Sequence, residues 1–292
     1  MILIDGKKVS NDIKSELKAK IDELAAQSKM VPGLVTILVG DDPASKVYVS
    51  SKNKACTKIG MHSKIEQYDS SLSEDELLDL VKKYNEDSNY HGILVQLPLP
   101  KHIDENKIIE AISPAKDVDG FHPVSVGNMV IGKDTFLPCT PYGILELLKR
   151  YGIETSGKHV VVVGRSNIVG KPIANIMLQK KEGANSIVTI CHSAAMDLSY
   201  FTKQADILIA AIGKANFITA DMVKEDVVII DVGINRVDDN STEKGYKIVG
   251  DVDFDAVNEK ASYITPVPGG VGPMTIAMLL SNTYKAYLKS EK

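Results

Sequence analysis

One predicted helix carries two residues that could take part in proton transfer. Tyr48 and Lys52 are four residues apart after an apolar run, so they share a face of the helix predicted to follow the loop 41–45. That helix starts at the carboxyl end of a predicted parallel strand, where open α/β sheets place ligands. A partly desolvated lysine there can lose its proton near neutrality and act as a base. The alternative is that both residues belong to an ordinary solvated helix face.

Two more polar positions follow in the first half of the chain. Gln96 lies within the apolar run 93–97, and a buried amide needs a hydrogen-bonding partner. It is either a site residue or a satisfied core amide. Asp117 and Asp119 lie on a loop before Gly120, where they either stabilise a structural turn or bind a ligand. They lack the further ligands and the closing Glu of a calcium loop, and no metal site is predicted.

A glycine turn in the second half predicts a nucleotide-binding site. Gly164 follows the apolar run 160–163, and the segment 164–172 leads into a helix. Backbone N–H groups and a helix N-terminus in this arrangement bind phosphate. The turn is not a P-loop, because five residues separate Gly164 from Gly170, and it departs from G-x-G-x-x-G because Ser166 replaces the second glycine. A plain turn between strand and helix is the alternative.

The end of the next strand favours NADP over NAD. An NAD site usually offers a carboxylate there for the ribose 2′-hydroxyl, whereas the residues after Ile190 include no acid before Asp197. Arg165, Ser166 and Ser193 could together hold a 2′-phosphate by charge-assisted hydrogen bonds. The alternative is that Ser193 and the histidine before it only cap the following helix.

The elements that must position these residues alternate between short apolar strands and helices, which predicts parallel βαβ units. In the first half the strands are predicted at 34–40, 64–68 and 92–97, a polar amphipathic segment at 10–27, and helices from the loop 41–45 to about 59 and at 74–84. The second half has four apolar strands, at 160–164, 187–190, 206–211 and 227–231, typical of a doubly wound sheet. The Pro/Gly-rich segment 265–275 predicts a functional loop, because its glycines let backbone approach a flat ligand closely.

Composition limits the class of protein. The 292 residues suggest two domains, and 44% apolar with 25% charged residues are globular values. A net charge of −4 gives no basic field for nucleic acid or an anionic membrane. The three cysteines are far apart, which argues against a disulfide framework or zinc cage and favours a reducing compartment. No apolar run approaches the ~18 residues of a membrane span, so a soluble cytoplasmic protein is predicted.

Seven sequence blocks follow one another along the chain, namely YVSSK at 48–52, VQLPLP at 95–100, DVDGFHP at 117–123, PCTPYG at 138–143, GRSNIVGKP at 164–172, DVGIN at 231–235 and PVPGGVGPMT at 266–275. In this order they resemble the bifunctional methylenetetrahydrofolate dehydrogenase/cyclohydrolase family of one-carbon folate metabolism. The sequence departs from the family at Ala194 and Ala195, where Lys-Thr usually follows the Cys-His-Ser. That departure leaves Ser193 as the contact expected on this loop.

The resemblance implies an α/β fold of two domains with the active site in the cleft. Residues 1–139 and 272–292 are expected to form an α/β folate-binding catalytic domain, to which the C-terminal helix returns. Residues 140–271 are expected to form an NADP-binding domain, a Rossmann-type doubly wound parallel sheet. Family members are typically homodimers through the cofactor domain, so a homodimer is expected.

The resemblance also implies roles for individual residues. Lys52 is the expected base, Gln96 holds its amine, Tyr48 stacks on or orients the folate, and Asp119 grips the pterin edge. Tetrahydrofolate derivatives are the expected substrates. The remaining substrate-binding residues implied are Val95, Leu97, Pro268, Gly269, Gly270, Val271, Gly272, Pro273, Met274, Thr275 and Ile276, and the cofactor-binding residues are Gly164, Arg165, Ser166, Ser193 and Ile234.

The implied activity is oxidation of 5,10-methylenetetrahydrofolate to the methenyl form with NADP, then hydrolysis to 10-formyltetrahydrofolate. Three alternatives are open. The chain could be a family member that has lost the cyclohydrolase or prefers NAD. It could be an NADP-dependent dehydrogenase of small hydroxy acids with related two-domain architecture, such as a shikimate-type enzyme. It could also be a nucleotide-binding regulatory protein without catalysis, which the joint presence of Lys52, Gln96 and Asp119 argues against.

Overall fold

The computed structural model describes residues 1–242 and 245–291. Its contacts divide the chain into two units. We call Met1–Ser10 with Cys139–Thr275 the six-stranded unit, and Asn11–Pro138 with Ile276–Lys292 the three-stranded unit. Lys292 and residues 243–244, which belong to the predicted domain ranges, lie outside the described residues.

Strands and helices alternate along most of the described chain. The strands are β1 (Ile2–Leu3), β2 (Gly33–Val39), β3 (His62–Tyr68), β4 (Gly92–Val95), β5 (His159–Val163), β6 (Ile187–Cys191), β7 (Ile207–Ala210), β8 (Val227–Asp231), β9 (Asn235–Asp238), β10 (Tyr246–Val249) and β11 (Ala261–Ile264). The helices are α1 (Gly6–Ala26), α2 (Pro43–Lys58), α3 (Glu74–Glu86), α4 (Glu105–Ala111), α5 (Pro123–Val130), α6 (Cys139–Arg150), α7 (Gly170–Met177), α8 (Leu198–Thr202), α9 (Phe254–Val257) and α10 (Val271–Ser290).

The three-stranded unit is built on a parallel sheet in the order β3-β2-β4. All seven residues of β2 are buried, as expected for a central strand covered on both faces. The helix that follows starts with Pro43 in its first turn, and the Asp42 carboxylate accepts a hydrogen bond of 2.7 Å from Ser45 N. This cap satisfies a free N–H at the start of α2 and sets where the helix begins. The cap therefore helps to set where Tyr48 and Lys52 project from α2.

The six-stranded unit contains a parallel sheet in the order β1-β11-β8-β7-β5-β6. Its central strands are continuous apolar runs because both faces are covered. Since the strands are parallel, the segments after β5, β6, β7 and β8 all emerge at the same edge of the sheet. The predicted α/β fold with a parallel cofactor-type sheet is confirmed.

The first ten residues differ from their predicted domain. They belong to the six-stranded unit, because β1 pairs in parallel with β11 and Ile4 N donates to Ile264 O at 2.8 Å. β1 is only two residues long, so its sequence carried too little pattern to predict a strand. The contact division changes units between Pro138 and Cys139 and between Thr275 and Ile276, and the predicted boundaries after residue 139 and before Gly272 stay predictions.

Other elements were not predicted from the sequence. Helix α5 follows the turn at Gly120, and β9 pairs with β10 as an antiparallel hairpin. The last helix starts at Val271. Its residues from Ile276 belong to the three-stranded unit, as the predicted return of this helix requires. None of the helices in the described residues has the length and apolar composition needed to cross a bilayer.

Candidate active site

Lys52 and Gln96 meet, as the sequence prediction requires. Lys52 lies on α2 and Gln96 directly follows β4, and the Lys52 Nζ donates to Gln96 Oε1 at 3.0 Å. The Gln96 amide group donates in turn to Leu97 O at 2.6 Å, and its backbone N–H donates to Ile37 O at 2.9 Å. Gln96 is therefore held through its backbone and its amide, which directs its oxygen at the amine.

Tyr48 lies one turn before Lys52 on α2 and is about half exposed (48%). An exposed ring beside an amine offers a surface on which a flat ligand can stack. Cys56 lies one turn after Lys52, but it is fully buried, and burial raises the pKa of its thiol to about 11. A thiol in that state is a core group rather than a nucleophile, and Lys52 stays the predicted base on this helix.

Asp117 and Asp119 have different environments. Asp117 is buried, and its carboxylate accepts hydrogen bonds from Phe121 N (3.2 Å) and His122 N (3.0 Å). Burial raises the pKa of Asp117 to about 6, with the nearby Asp119 adding to the rise. Asp119 is only partly buried. Asp117 thus holds the turn, which was the structural alternative, and Asp119 is the more exposed of the two carboxylates.

The turn that carries Asp119 is supported on two sides. Gly120 has φ +77°, and a side chain there would overlap the backbone of Leu137 and Pro138. Asn282 of α10 donates to Val118 O (2.8 Å) and to Leu137 O (3.0 Å). The loop is therefore fixed by glycine, by the buried Asp117 and by the last helix. The sequence reasoning missed Asn282, because a lone amide in an apolar helix is no signal without its partners.

The predicted phosphate-binding turn depends on its two glycines. Gly164 has φ +136°, and a side chain there would overlap Ala211 O. A side chain at Gly170, the first residue of α7, would overlap Gly164 O. The backbone therefore closes into a compact turn at the carboxyl edge of the sheet, and only glycine fits at either position.

Ser166 caps the helix that follows this turn. Its Oγ accepts hydrogen bonds from Val169 N (3.1 Å) and Gly170 N (3.3 Å), because Val169 at the N-cap position has no side-chain acceptor. Arg165 and Ser166 are both exposed. The turn thus presents a cation and a hydroxyl beside the start of α7, which suits a phosphate group.

The loop after β6 faces this turn with a second set of polar groups. Arg165 Nη1 lies 3.4 Å from His192 Nε2, and Ala194 N donates to His192 Nδ1 at 3.2 Å. Ser193 is exposed, and Asp197 is used as the N-cap of α8, where it accepts from Tyr200 N. The residues near Arg165 are therefore neutral or cationic, and they fit a 2′-phosphate better than a ribose hydroxyl.

Part of the segment 268–276 is helix rather than loop. Gly269 has φ +113°, but α10 begins at Val271, and Val271 and Met274 are buried. A side chain at Gly143 would collide with Met274, so this methionine belongs to the core of the six-stranded unit. Gly272 is exposed, and a Cβ there would lie 3.7 Å from Ile234 Cδ1. The predicted cofactor residue Ile234, itself 55% exposed, therefore lies beside this segment.

Two buried carboxylates near the cofactor turn were missed. Asp231 ends β8, and Asp251 follows β10 in the chain. Burial raises the pKa of Asp231 to about 6, against the opposing effect of three backbone N–H donors. The adjacent glycines, Gly233 and Gly250, were the available signal, because a side chain at either one would overlap one of these carboxylates.

Comparison with known proteins identifies the family. Residues 4–119 match the model of the tetrahydrofolate dehydrogenase/cyclohydrolase catalytic domain, and residues 138–291 match that of the tetrahydrofolate dehydrogenase/cyclohydrolase NAD(P)-binding domain. The chain belongs to the tetrahydrofolate dehydrogenase/cyclohydrolase family. The resemblance seen in the sequence blocks is confirmed.

Similar proteins cover the chain almost completely. The bifunctional protein FolD of Chlorobium limicola is 62% identical over 98% of both chains. The structure of the FolD methylenetetrahydrofolate dehydrogenase/cyclohydrolase from Campylobacter jejuni has 51% identity and a TM-score of 0.94 over 99% of both chains. The Trypanosoma brucei enzyme, solved with NADP and an inhibitor, has 37% identity and a TM-score of 0.93 over 100% of this chain and 99% of its own. Membership of this family supports the folate reactions and not the small hydroxy-acid alternative.

Proposed function

We propose that this chain oxidises 5,10-methylenetetrahydrofolate to the methenyl form with NADP and hydrolyses that product to 10-formyltetrahydrofolate. The observation that carries the proposal is the hydrogen bond between Lys52 and Gln96, made one turn from an exposed Tyr48 in a chain of this family. It places an oriented amine and a stacking surface on one helix face. Neither reaction requires a metal in this scheme.

In the oxidation, NADP when bound would supply the acceptor for the hydride that leaves the methylene carbon of the substrate. That carbon lies between two nitrogens whose lone pairs stabilise the cation that forms, so the protein mainly has to align the two reactants. Asp119 accepts hydrogen bonds from the pterin amide and amino edge, whose paired donors suit a carboxylate. Tyr48 stacks on or orients the folate. Val95, Leu97 and the segment 268–276 stay the further residues predicted to bind the folate.

In the hydrolysis, a water oxygen attacks the methenyl carbon and loses a proton to Lys52. The carbon–N5 bond then breaks as N5 takes a proton and the carbon–oxygen double bond of the formyl group forms. One water is consumed and one proton is released. Gln96 Oε1 positions the Lys52 amine by accepting one of its hydrogens, which leaves another face of the nitrogen for the water.

On the cofactor side, the glycine turn and the start of α7 hold the phosphates that join the two halves of NADP. Gly164 allows close backbone approach, and Ser166 orders the turn. Arg165 and Ser193 hold the 2′-phosphate, and Ile234 offers an exposed apolar surface to a ring. The neutral or cationic surroundings of Arg165 support NADP rather than NAD.

The test is absorbance-monitored turnover of 5,10-methylenetetrahydrofolate with NADP and, separately, with NAD, followed by methenyl hydrolysis without cofactor. We expect oxidation with NADP, much weaker oxidation with NAD and cofactor-free hydrolysis. Folded protein that is silent in both assays would contradict the proposal. Hydrolysis without oxidation would contradict only its dehydrogenase half, and equal use of NAD would contradict the 2′-phosphate site.

The cytoplasmic location and the homodimer stay predictions. Sedimentation equilibrium at micromolar concentration tests the second one directly. A mass twice that of the 31.7 kDa chain is expected, and a single-chain mass would contradict it.

A further inference from the structure

The Asp251 side chain is the centre of a four-donor hydrogen-bond cluster in the six-stranded unit. Its Oδ2 accepts from Ile212 N (2.6 Å) and Gly213 N (2.9 Å). Its Oδ1 accepts from Lys214 N (3.0 Å) and from Asn235 Nδ2 (2.9 Å). A carboxylate has about four lone-pair sites, and this fully buried one uses all of them.

Asp231 extends the same cluster. Its Oδ1 accepts from Gly233 N (2.8 Å) and Asp251 N (2.9 Å), and its Oδ2 accepts from Val252 N (3.0 Å). The glycine at position 250 leaves the room that the Asp231 carboxylate occupies. The Asp231–Asp251 pair thus joins three segments by their backbone, namely 212–214, 231–235 and 250–252.

Two of these segments border residues assigned to the cofactor. The segment 212–214 follows β7 and Ala211. Ala211 N donates to Val163 O at 2.8 Å, and a side chain at Gly164 would overlap Ala211 O. Ile234 lies in the segment 231–235, directly before Asn235. A shift of either segment therefore changes the shape of the turn at Gly164 or the position of Ile234.

We propose that Asp251 is a positioning residue for the dehydrogenase reaction, holding the segment 212–214 and Asn235 in the arrangement that accepts NADP without contacting the cofactor. The proposal rests on the proposed function of the six-stranded unit. Its specific consequence is that the loss of Asp251 weakens cofactor binding and leaves hydrolysis intact. Lys52, Gln96 and Tyr48, which carry the hydrolysis, lie in the three-stranded unit.

The test variant is Asp251→Asn. The amide keeps one oxygen but turns its NH₂ group towards two N–H donors, so two of the four hydrogen bonds are lost with little change of shape. The matched control is Asp253→Asn, which makes the same chemical change two residues later. Asp253 caps α9 by accepting from Ala256 N, and Asn caps equally well.

Three measurements define the expected result. Hydrogen exchange of the cofactor-free protein, followed in a peptide covering 211–216, should be at least about tenfold faster in Asp251→Asn. Calorimetric titration with NADP should show a Kd raised about tenfold or more, because the arrangement of 212–214 that accepts NADP is then populated only about one tenth of the time or less. Methenyl hydrolysis without cofactor should stay within about twofold of the wild type, the scatter of remote substitutions. Asp253→Asn should match the wild type in all three.

Other outcomes overturn the proposal. An unchanged NADP Kd with faster exchange would show that the segment does not govern cofactor binding. Equal losses of NADP binding and of hydrolysis would show a general structural role. If Asp251→Asn does not fold, Asn235→Ala removes a single donor, and an unchanged Kd in that variant would also contradict the proposal. A wild-type protein that neither binds NADP nor hydrolyses methenyltetrahydrofolate would overturn the proposed function itself.

Discussion

The two units present their functional groups in different ways. In the three-stranded unit the proposed site consists of side chains on or directly after regular elements, with Lys52 on α2 donating a hydrogen bond to Gln96, which follows β4. In the six-stranded unit it consists largely of backbone, shaped by Gly164 and Gly170 and held by the buried Asp231–Asp251 pair. The first arrangement suits proton transfer, and the second suits a phosphate-bearing ligand bound by N–H groups.

This difference determines how each unit should respond to substitution. Removal of a reacting side chain abolishes one chemical step and leaves binding in place, whereas removal of a contact to the cofactor weakens binding and leaves the chemistry possible. Each of the following substitutions tests whether the two units are separable in this way.

The largest effect is expected for Lys52→Met. Methionine keeps the length of the side chain and removes the amine, so methenyl hydrolysis should fall at least about 100-fold, the usual contribution of a general base. Oxidation of methylenetetrahydrofolate should be reduced far less, because that step needs alignment rather than a base. The control is Lys58→Met in the exposed last turn of the same helix. Methenyl hydrolysis by Lys52→Met at the wild-type rate would contradict the role of Lys52 as the base.

The second effect concerns Arg165→Ala. Loss of a charge-assisted hydrogen bond to the 2′-phosphate should raise the KM for NADP about 10- to 100-fold and leave the KM for NAD unchanged. Cofactor-free hydrolysis should also be unchanged. Lys158→Ala removes a positive charge at the opposite end of β5 and serves as the control. If the KM values for NADP and NAD rose equally, Arg165 would contact a part of the molecule that the two cofactors share.

The sequence indicated the candidate side chains better than the groups that hold them. Lys52 and Gln96 were paired by the family resemblance, because the residues alone also allowed a solvated helix face and a satisfied core amide. Asp251 was missed because its partners include the backbone N–H groups of 212–214, which no residue type marks, although the glycines at 233 and 250 indicated that space is needed there. β1 was missed for a similar reason, because its two residues pair with a strand some 260 residues later.

A third test uses pH, through Asp117. Its folded pKa of about 6 lies above the ordinary value of 3.8, so the folded chain binds more protons than the unfolded chain between these values. The cost of burying its charge therefore grows as pH rises from 4 to 6 and is complete above that. Asp117→Asn removes this cost, by at most about 3 kcal/mol, but it also loses one acceptor for the N–H groups of Phe121 and His122.

The expected result is a pH-dependent difference in thermal midpoint. Between pH 4.5 and pH 7.5, the thermal midpoint of Asp117→Asn should rise relative to that of the wild type. The rise should be roughly 2–4 °C for each kcal/mol of the charge-burial cost that the substitution removes. The exposed Asp75→Asn should show no such trend. The KM for 5,10-methylenetetrahydrofolate should rise a few-fold in Asp117→Asn, because the turn that carries Asp119 is less firmly held. A pH-independent difference would mean that Asp117 does not carry a buried charge at pH 7.5.

The smallest effect is expected at the position where this chain departs from its family. Ala194 is exposed in the loop after His192, and Ala194→Lys adds a cation close to the groups assigned to the 2′-phosphate. A solvent-exposed pair contributes about 0.2–1 kcal/mol, so the NADP Kd should fall by about 1.4- to 5-fold at low salt. The gain should disappear in 1 M salt, because the screening length is then only about 3 Å.

Ala194→Gln is the matched control, because it lengthens the side chain without adding charge. If NADP affinity rose equally in the lysine and glutamine variants, or if the rise persisted in 1 M salt, packing rather than charge would be responsible. A gain in NAD affinity equal to that for NADP would show that the loop does not face the 2′-phosphate. A gain for NADP alone that is lost with salt places the loop after β6 at the phosphate, and it separates this electrostatic contact from the backbone positioning supplied by Asp251.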